Sequence, residues 1–351
     1  MTIRIKHFTR MATVAAVASL VGSAALAQDS VTLRFEHFLP ANSNAQVGVI
    51  EPWCKDLADE SAGRIKCEIY PSMQLGGKPS QLNDLVRNGV VDIVWTALGY
   101  SAGSFPRSEL LDLPFMLPYD GMVASKIIWD YANSYGADDF SDYKLLAIYS
   151  DVGGTIHTTK QDIKTVDDLK GVRLRASTRQ ASEFLEAIGA TPVSMPPSQI
   201  ADSLSKGVLD GALAAWEVVP PTKLDETTFF HTQSAPDQAA TVLTTLAVLM
   251  NKQSYERMPD DLKAILDKYS GETLTMRFAE SWKEATDAAE KLVAGMPKQQ
   301  INEWTADAYA ALKDKAQPVV DKWLASDKGG IDRKALFDGL ETLIKEQAPN
   351  L

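Results

Sequence analysis

Cysteine occurs twice and histidine four times in 351 residues. No two of these side chains stand at the short spacings that structural or catalytic metal sites use. No metal and no cofactor are therefore expected, and neither Cys54 nor Cys67 reads as a catalytic thiol. Long apolar runs are missing too. Beyond the N-terminal segment no stretch approaches 18 apolar residues, so no membrane span is expected. Positive charge is in deficit, with 35 Lys and Arg against 46 Asp and Glu and a net charge of −11. Such a chain suits neither nucleic acid nor an anionic membrane surface. An anionic ligand would need a local basic site set against that background.

The basic residues that exist are unevenly placed. "MTIRIKHFTR" holds Arg4, Lys6 and Arg10 and no acid, and a short Ala-rich apolar stretch ending "ALA" follows. Residues 1–27 read as a secretory signal peptide cleaved after Ala27, which places the mature chain in an oxidising compartment outside the cytoplasm. Loss of those three basic residues and no acid takes the net charge from −11 to −14. In that oxidising compartment Cys54 and Cys67 read as a disulfide tying a helix to a strand, two buried thiols being the alternative.

From residue 31 the chain alternates strands and helices. "VTLRFEH", "RIKCEIY" and "VVDIVW" read as strands in the first half, "GVRLRA", "TPVSM" and "VLDGALA" in the second. The fold class is α/β, with open sheets. "PSQLNDLVRNGVVD" (79–92) aligns without gaps to "PSQIADSLSKGVLD" (197–210), identical at seven of fourteen positions. Each copy opens with Pro at a helix start and stops at Gly before a strand. One plan used twice predicts two lobes. From 259 to 294 a helical pattern runs with Gly271 as a bend point. At 1.5 Å per residue it would extend about 54 Å, enough to span both lobes.

In their order and spacing, "HFLPANSNAQ", "YPSMQLGG", "LLDLPFML", "VDDLKGVRLRA" and "GATPVSMPPSQIADSLSKGVLDGA", followed by the long helix, resemble the substrate-binding proteins of tripartite ATP-independent periplasmic (TRAP) transporters. The resemblance covers essentially the whole mature chain. It implies a bilobed receptor that closes on a small organic acid and delivers it to the small and large permease subunits, without performing chemistry. Lobe I is expected over 28–152 plus about 241–275, and lobe II over 153–240 plus about 276–351. A monomer is expected.

Three arginines crowd "GVRLRASTRQ". Arg173 and Arg175 share one strand face, so alternation does not separate them. Ligands sit beyond the carboxyl ends of strands in open α/β sheets, which favours Arg175. The resemblance agrees, because the family's carboxylate-binding arginine closes a Gly-x-Lys/Arg-x-Arg pattern. Arg173 reads as structural, with Asp167 or Asp168 as partner. Arg179 is either an exposed helix residue near Glu183 or a second charge at the pocket edge. Sialic acid receptors of the family carry a further arginine where an ungapped alignment puts Thr155, and a Gln-Glu-Asn-Pro run where "GALAAWEVVPP" supplies Trp216 and Glu217. Trp216, Trp95, Phe38 and His37 then favour an aromatic or apolar monocarboxylate. A betaine-like zwitterion held by the aromatics is the next reading, with C4-dicarboxylates and keto acids behind it. "GYSAG" (99–103) matches the serine-hydrolase elbow around Ser101, but no helix pattern follows it. A binding protein of an ATP-driven transporter would share two lobes but not the long bridging helix.

Overall fold

The structure, a computed structural model, describes residues 29–326 and 328–349, so the signal-peptide reading lies outside the described residues. Two sheets organise the chain. Lobe I begins with β1 (Val31–His37), α1 (Glu51–Glu60), β2 (Ile65–Tyr70), α2 (Leu82–Arg87), β3 (Ile93–Ala97), α3 (Gly121–Ser134) and β4 (Tyr143–Ser150). Lobe II follows with β5 (Thr155–Thr158), β6 (Arg173–Ala176), α4 (Arg179–Ala187), β7 (Thr191–Ser194), α5 (Ile200–Ser205), β8 (Gly211–Ala214), α6 (Leu224–Thr227) and β9 (Phe230–Gln233). The chain returns through β10 (Thr245–Asn251), then α7 (Lys252–Glu256), α8 (Asp260–Lys268) and α9 (Glu272–Ala294). It ends with β11 (Gln300–Glu303), α10 (Ala306–Leu324) and α11 (Arg333–Gln347).

The first sheet has the order β2-β1-β3-β10-β4 and the second β11-β9-β5-β8-β6-β7. Strand β10 inserts antiparallel between β3 and β4, so the lobe I sheet is completed only after five strands of the lobe II sheet, β5 to β9, have been laid down. All seven residues of β10 are buried, as its central place demands. The disulfide joins Cys54 on α1 to Cys67 on β2. No described helix is long and apolar enough to cross a membrane.

The internal repeat has a physical basis. In the first copy Asp92 Oδ2 accepts from the backbone N–H and Nε of Arg34 on β1, both at 3.0 Å, while Arg34 Nη2 donates to Gly89 O. In the second, Asp210 Oδ2 accepts from the N–H and Nε of Arg173 on β6 at 3.0 and 2.9 Å, and Arg173 Nη1 donates to Gly207 O. The repeated Gly and Asp are thus two halves of one clamp on an arginine of the neighbouring parallel strand. This corrects the partner expected for Arg173, which is Asp210. Asp168 instead closes its own turn by accepting from Thr165.

Two expectations about the C-terminal third are also corrected. The pattern over 259–294 is broken at Gly271, whose φ of 69° lies in the left-handed region and whose N–H bonds Leu146 O in β4 rather than a helical carbonyl. The carbonyl of Tyr269 is likewise taken by Trp53 Nε1. The bridge is therefore α9 alone, 23 residues or about 35 Å. Its buried stripe places Leu274, Phe278 and Trp282 in the core of lobe I and Ala289 and Val293 in a core of lobe II. The chain end does not stay in lobe II. Helix α11 packs on α3, and Leu336 and Leu340 join the lobe I core, because the apolar face of α11 has its partner there.

Pro52 does not interrupt its helix. A wider turn over Ala45–Ile50 precedes α1, and Glu51 N–H bonds Gln46 O five residues back. That width accommodates a proline, which offers no N–H to the ordinary ladder.

Candidate functional site

A cavity of about 560 Å³, its open mouth included, lies where the carboxyl ends of strands from both sheets face each other. Lobe II contributes Arg175 and Ser177 at the end of β6, and Leu213, Ala214, Ala215 and Glu217 at the end of β8. Lobe I contributes Phe38 after β1, Trp95 on β3, Tyr100 and, from α9, Trp282. The two chain crossings close the rest through Asp151 and Gly154 on one, Val242 and Thr244 on the other.

Arg175 is 3% exposed. Its Nε donates to Met195 O at 3.0 Å and its Nη1 to Leu213 O at 3.2 Å, so lobe II's own backbone fixes the guanidinium plane. Among the described residues no carboxylate lies within ion-pairing distance of it. Burial pulls its pKa down, opposed by the Tyr100 hydroxyl and by Asp151. A buried cation hydrogen-bonded to carbonyls, with Asp151 acting on it only from beyond ion-pairing distance, is costly to keep without a direct partner. An anion in the cavity would supply the missing charge.

The opposite wall is aromatic. Phe38 stacks on Trp95 with centroids 4.6 Å apart and planes 9° apart, and meets Tyr100 edge-on at 5.1 Å. Trp282 stands edge-on to Trp95 at 5.8 Å. Trp95 Nε1 donates to Tyr149 Oη at 2.8 Å, which locks the indole flat against the strand end.

Two carboxyl groups share the cavity with Arg175. Asp151 Oδ1 accepts from Gly153 N at 3.1 Å and Thr244 N at 2.9 Å, tying the two crossings together. Burial raises the Asp151 carboxyl to about 6 and the Glu217 carboxyl to about 8, and the Asp151 charge adds to the rise at Glu217. Neither Glu217 Oε2 nor Trp282 Nε1 completes a hydrogen bond, although the indole N–H stands near enough to the carboxyl to oppose the rise of its pKa.

Several expected site residues stand elsewhere. Trp216 turns from the cavity into lobe II, where its Nε1 donates to Gln233 and its ring lies 4.9 Å from His157. The reason is the turn at residues 216–218, which gives alternate neighbours Ala215 and Glu217 to the wall. His37 is fully buried behind Trp95, its Nε2 3.0 Å from Gln46 Oε1 and its pKa lowered by burial to about 4. Thr155 is buried in β5, one residue behind the wall, which is formed by Gly154. Arg179 lies outside the cavity and bridges the lobes, its Nη2 on Glu109 Oε1 at 2.7 Å and its Nη1 on Glu183 at 3.2 Å. Asp151, Tyr100 and Trp282 were not anticipated. In the sequence Trp282 falls on the helical pattern over 259–294 like any core position, and the one sign of Asp151 is its place at the lobe boundary at 152–153.

The serine-hydrolase geometry is not formed. Ser101 Oγ faces Ser80 O and Asn83 Oδ1, and the three histidines of the described chain are buried on partners of their own. No cluster among the described residues could hold a metal ion.

The model of the bacterial extracellular solute-binding protein family 7 (DctP) matches residues 35–327. A TRAP solute-binding protein from an unidentified marine metagenome microbe, described as specific for aromatic acids and solved with 3-hydroxybenzoate, is 37% identical with a TM-score of 0.87, over 92% of this chain and 100% of that one. A TRAP solute-binding protein of Rhodoferax ferrireducens with copurified benzoate is also 37% identical, with a TM-score of 0.87 over 91% and 99% of the two chains. One from Bordetella bronchiseptica with bound mandelate is 25% identical, with a TM-score of 0.81 over 90% and 99%. Family match, bilobed fold and cavity agree: the chain belongs to family 7 of the bacterial extracellular solute-binding proteins, the DctP-type solute receptors of TRAP transporters.

Proposed function

We propose that this receptor binds an aromatic monocarboxylate, with its carboxylate on Arg175 and its ring against Phe38, Trp95 and Trp282. The observation that carries the reading is the buried Arg175 guanidinium, with no carboxylate in ion-pairing distance, facing a wall of stacked rings across one cavity. An arginine fork can hold both carboxylate oxygens and stays charged at any physiological pH. The aromatic wall offers offset and edge-on contacts to a flat ligand body. Two relatives at 37% identity that hold benzoate and 3-hydroxybenzoate support the same ligand class.

Binding closes the lobes about the crossings at 151–154 and 234–244, with α9 as the shared spine. Residues 1–27 direct export and are removed after Ala27, and the mature monomer works in the periplasm with the small and large permease subunits. It turns over no substrate. Lobe I comprises 28–152, 241–275 and α11. The remaining described residues form lobe II, and α9 is shared.

The test is a thermal-shift and calorimetric panel of benzoate, 3-hydroxybenzoate, mandelate, succinate and glycine betaine. Ligand binding to the native state raises the melting temperature. The aromatic acids should raise it and the others should not. A shift with succinate or betaine alone would overturn the reading.

A further inference from the structure

Two unpartnered polar groups mark the end of the cavity formed by Glu217 and Trp282. Glu217 is 7% exposed and its Oε2 has no partner. Trp282 is 1% exposed and its indole Nε1, a donor with no acceptor capacity, has none either. Both residues line the cavity, and the indole N–H stands near enough to the Glu217 carboxyl to oppose the rise of its pKa while falling short of full hydrogen-bond geometry. Buried polar groups in native structures are nearly always satisfied, so a pair left open in one cavity marks where a ligand atom belongs.

We propose that Glu217 and Trp282 form a hydroxyl-reading subsite, and that the preferred ligands are aromatic acids carrying a ring hydroxyl remote from the carboxylate. The proposal rests on the aromatic-acid reading given above and adds the second recognition group. A hydroxyl fits both orphans at once: its oxygen accepts from Trp282 Nε1–H while its hydrogen is donated to Glu217 Oε2. An ammonium fails, because it cannot accept from the indole. A methyl ether accepts from Trp282 but leaves Glu217 open.

The other charged and titratable groups facing this end are Asp151 on the first crossing, Tyr149 on β4 and Arg175 on β6. Asp151 is held by the N–H groups of Gly153 and Thr244, so it stands as the fixed charge between Arg175 and Glu217. Burial and the nearby Asp151 keep Glu217 protonated at neutral pH. The subsite then adds no negative charge beside the ligand's own carboxylate, and a neutral carboxyl still accepts a hydroxyl hydrogen. A site built to hydrogen-bond a ligand hydroxyl discriminates strongly against the analogue that lacks it, since its own polar groups are then left unpaired.

Calorimetry on the mature chain tests this with benzoate, 3-hydroxybenzoate, 4-hydroxybenzoate and 3-methoxybenzoate, on wild type, Trp282→Phe and Glu217→Gln. At least one hydroxybenzoate should bind wild type tenfold or more tightly than benzoate. The methoxy acid should lose that advantage. Trp282→Phe should reduce the hydroxyl preference, read as the ratio of hydroxybenzoate to benzoate affinity, to threefold or less, because the lost ring contact weakens both acids alike and cancels in that ratio. Glu217→Gln keeps an acceptor and should retain part of the preference. Benzoate binding wild type as tightly as both hydroxybenzoates would overturn the subsite and leave the aromatic-acid reading intact. An unchanged preference in Trp282→Phe would overturn it too. If none of the four acids bound, both readings would fall.

Discussion

The repeated clamp predicts that two chemically identical substitutions differ in cost. Asp92→Ala removes a carboxylate whose side chain is 13% exposed and which accepts from Arg34 N, Arg34 Nε and, through Oδ1, Ser254 Oγ at 2.8 Å. Arg34 is 41% exposed and can rehydrate, but the strand N–H and the serine hydroxyl lose a buried, charged acceptor. Hydrogen bonds to charged groups contribute about 1.5–3 kcal/mol each, so a loss of roughly 3 kcal/mol is expected. Asp210→Ala removes a carboxylate that also accepts a strand N–H, from Arg173, but is 42% exposed, has no counterpart of Ser254 and is paired with an arginine that is 43% exposed. Water replaces most of that interaction, and about 1 kcal/mol is expected.

Equilibrium unfolding in urea, chosen because it leaves ion pairs unscreened, followed by circular dichroism would read the difference. Two lobes can give two transitions, and then the shift in the transition of the affected lobe is the quantity to compare. For Asp92, hydrogen bonds from Arg34 outweigh the burial penalty, and for Asp210 the Arg173 hydrogen bonds dominate, so both carboxyls titrate below the ordinary aspartate range. Their stabilisation is present above the unfolded pKa and is lost as pH falls through the folded one. The gap between wild type and each variant should thus hold at neutral pH and close in acid. Asp210→Ala costing as much as Asp92→Ala, or a gap that survives at pH 2, would refute the reasoning.

Two further outcomes follow from the cavity and its rim. Glu217 holds a proton up to about pH 8 when folded, whereas a free glutamate loses it near 4.5, so its contribution to stability is present below 4.5 and lost as pH rises to 8. Glu217→Gln should flatten the fall in apo melting temperature between pH 6.5 and 8.5 and melt above wild type at pH 8.5; an unchanged profile would count against it. The Arg179–Glu109 pair joins the lobes but is 44% exposed on the arginine side, so a double-mutant cycle on ligand affinity should give about 0.5–1 kcal/mol of coupling, weakening with salt. A coupling of zero at low salt would remove the pair from closure.

The architecture was legible because it rests on short-range signals. The Pro-to-Gly helix units, the alternating strands and the seven shared residues of the repeat each constrain backbone within a few residues, and they pointed to two α/β lobes. Arg175 was reachable from its place at the end of a strand. What failed depends on contacts distant in sequence. Periodicity does not say that Gly271 N–H will bond Leu146, or that α11 will find its apolar partner on α3 some 200 residues earlier. The side-chain direction at Trp216 depends on a single turn after β8, and one residue decides whether an indole or Glu217 lines the cavity. Trp282 carried only a core signal, because a wall residue on a buried helix face looks like any other apolar position.

The central claim is that the Arg175 guanidinium holds the ligand carboxylate. Calorimetric titration of Arg175→Ala and Arg175→Lys with the tightest aromatic acid tests it most directly, with circular dichroism confirming that both variants stay folded. Loss of two charge-assisted hydrogen bonds predicts an affinity drop on the order of a hundredfold or more for alanine. Lysine should restore little, because it keeps the charge but not the fork. Wild-type affinity in folded Arg175→Ala would contradict the account.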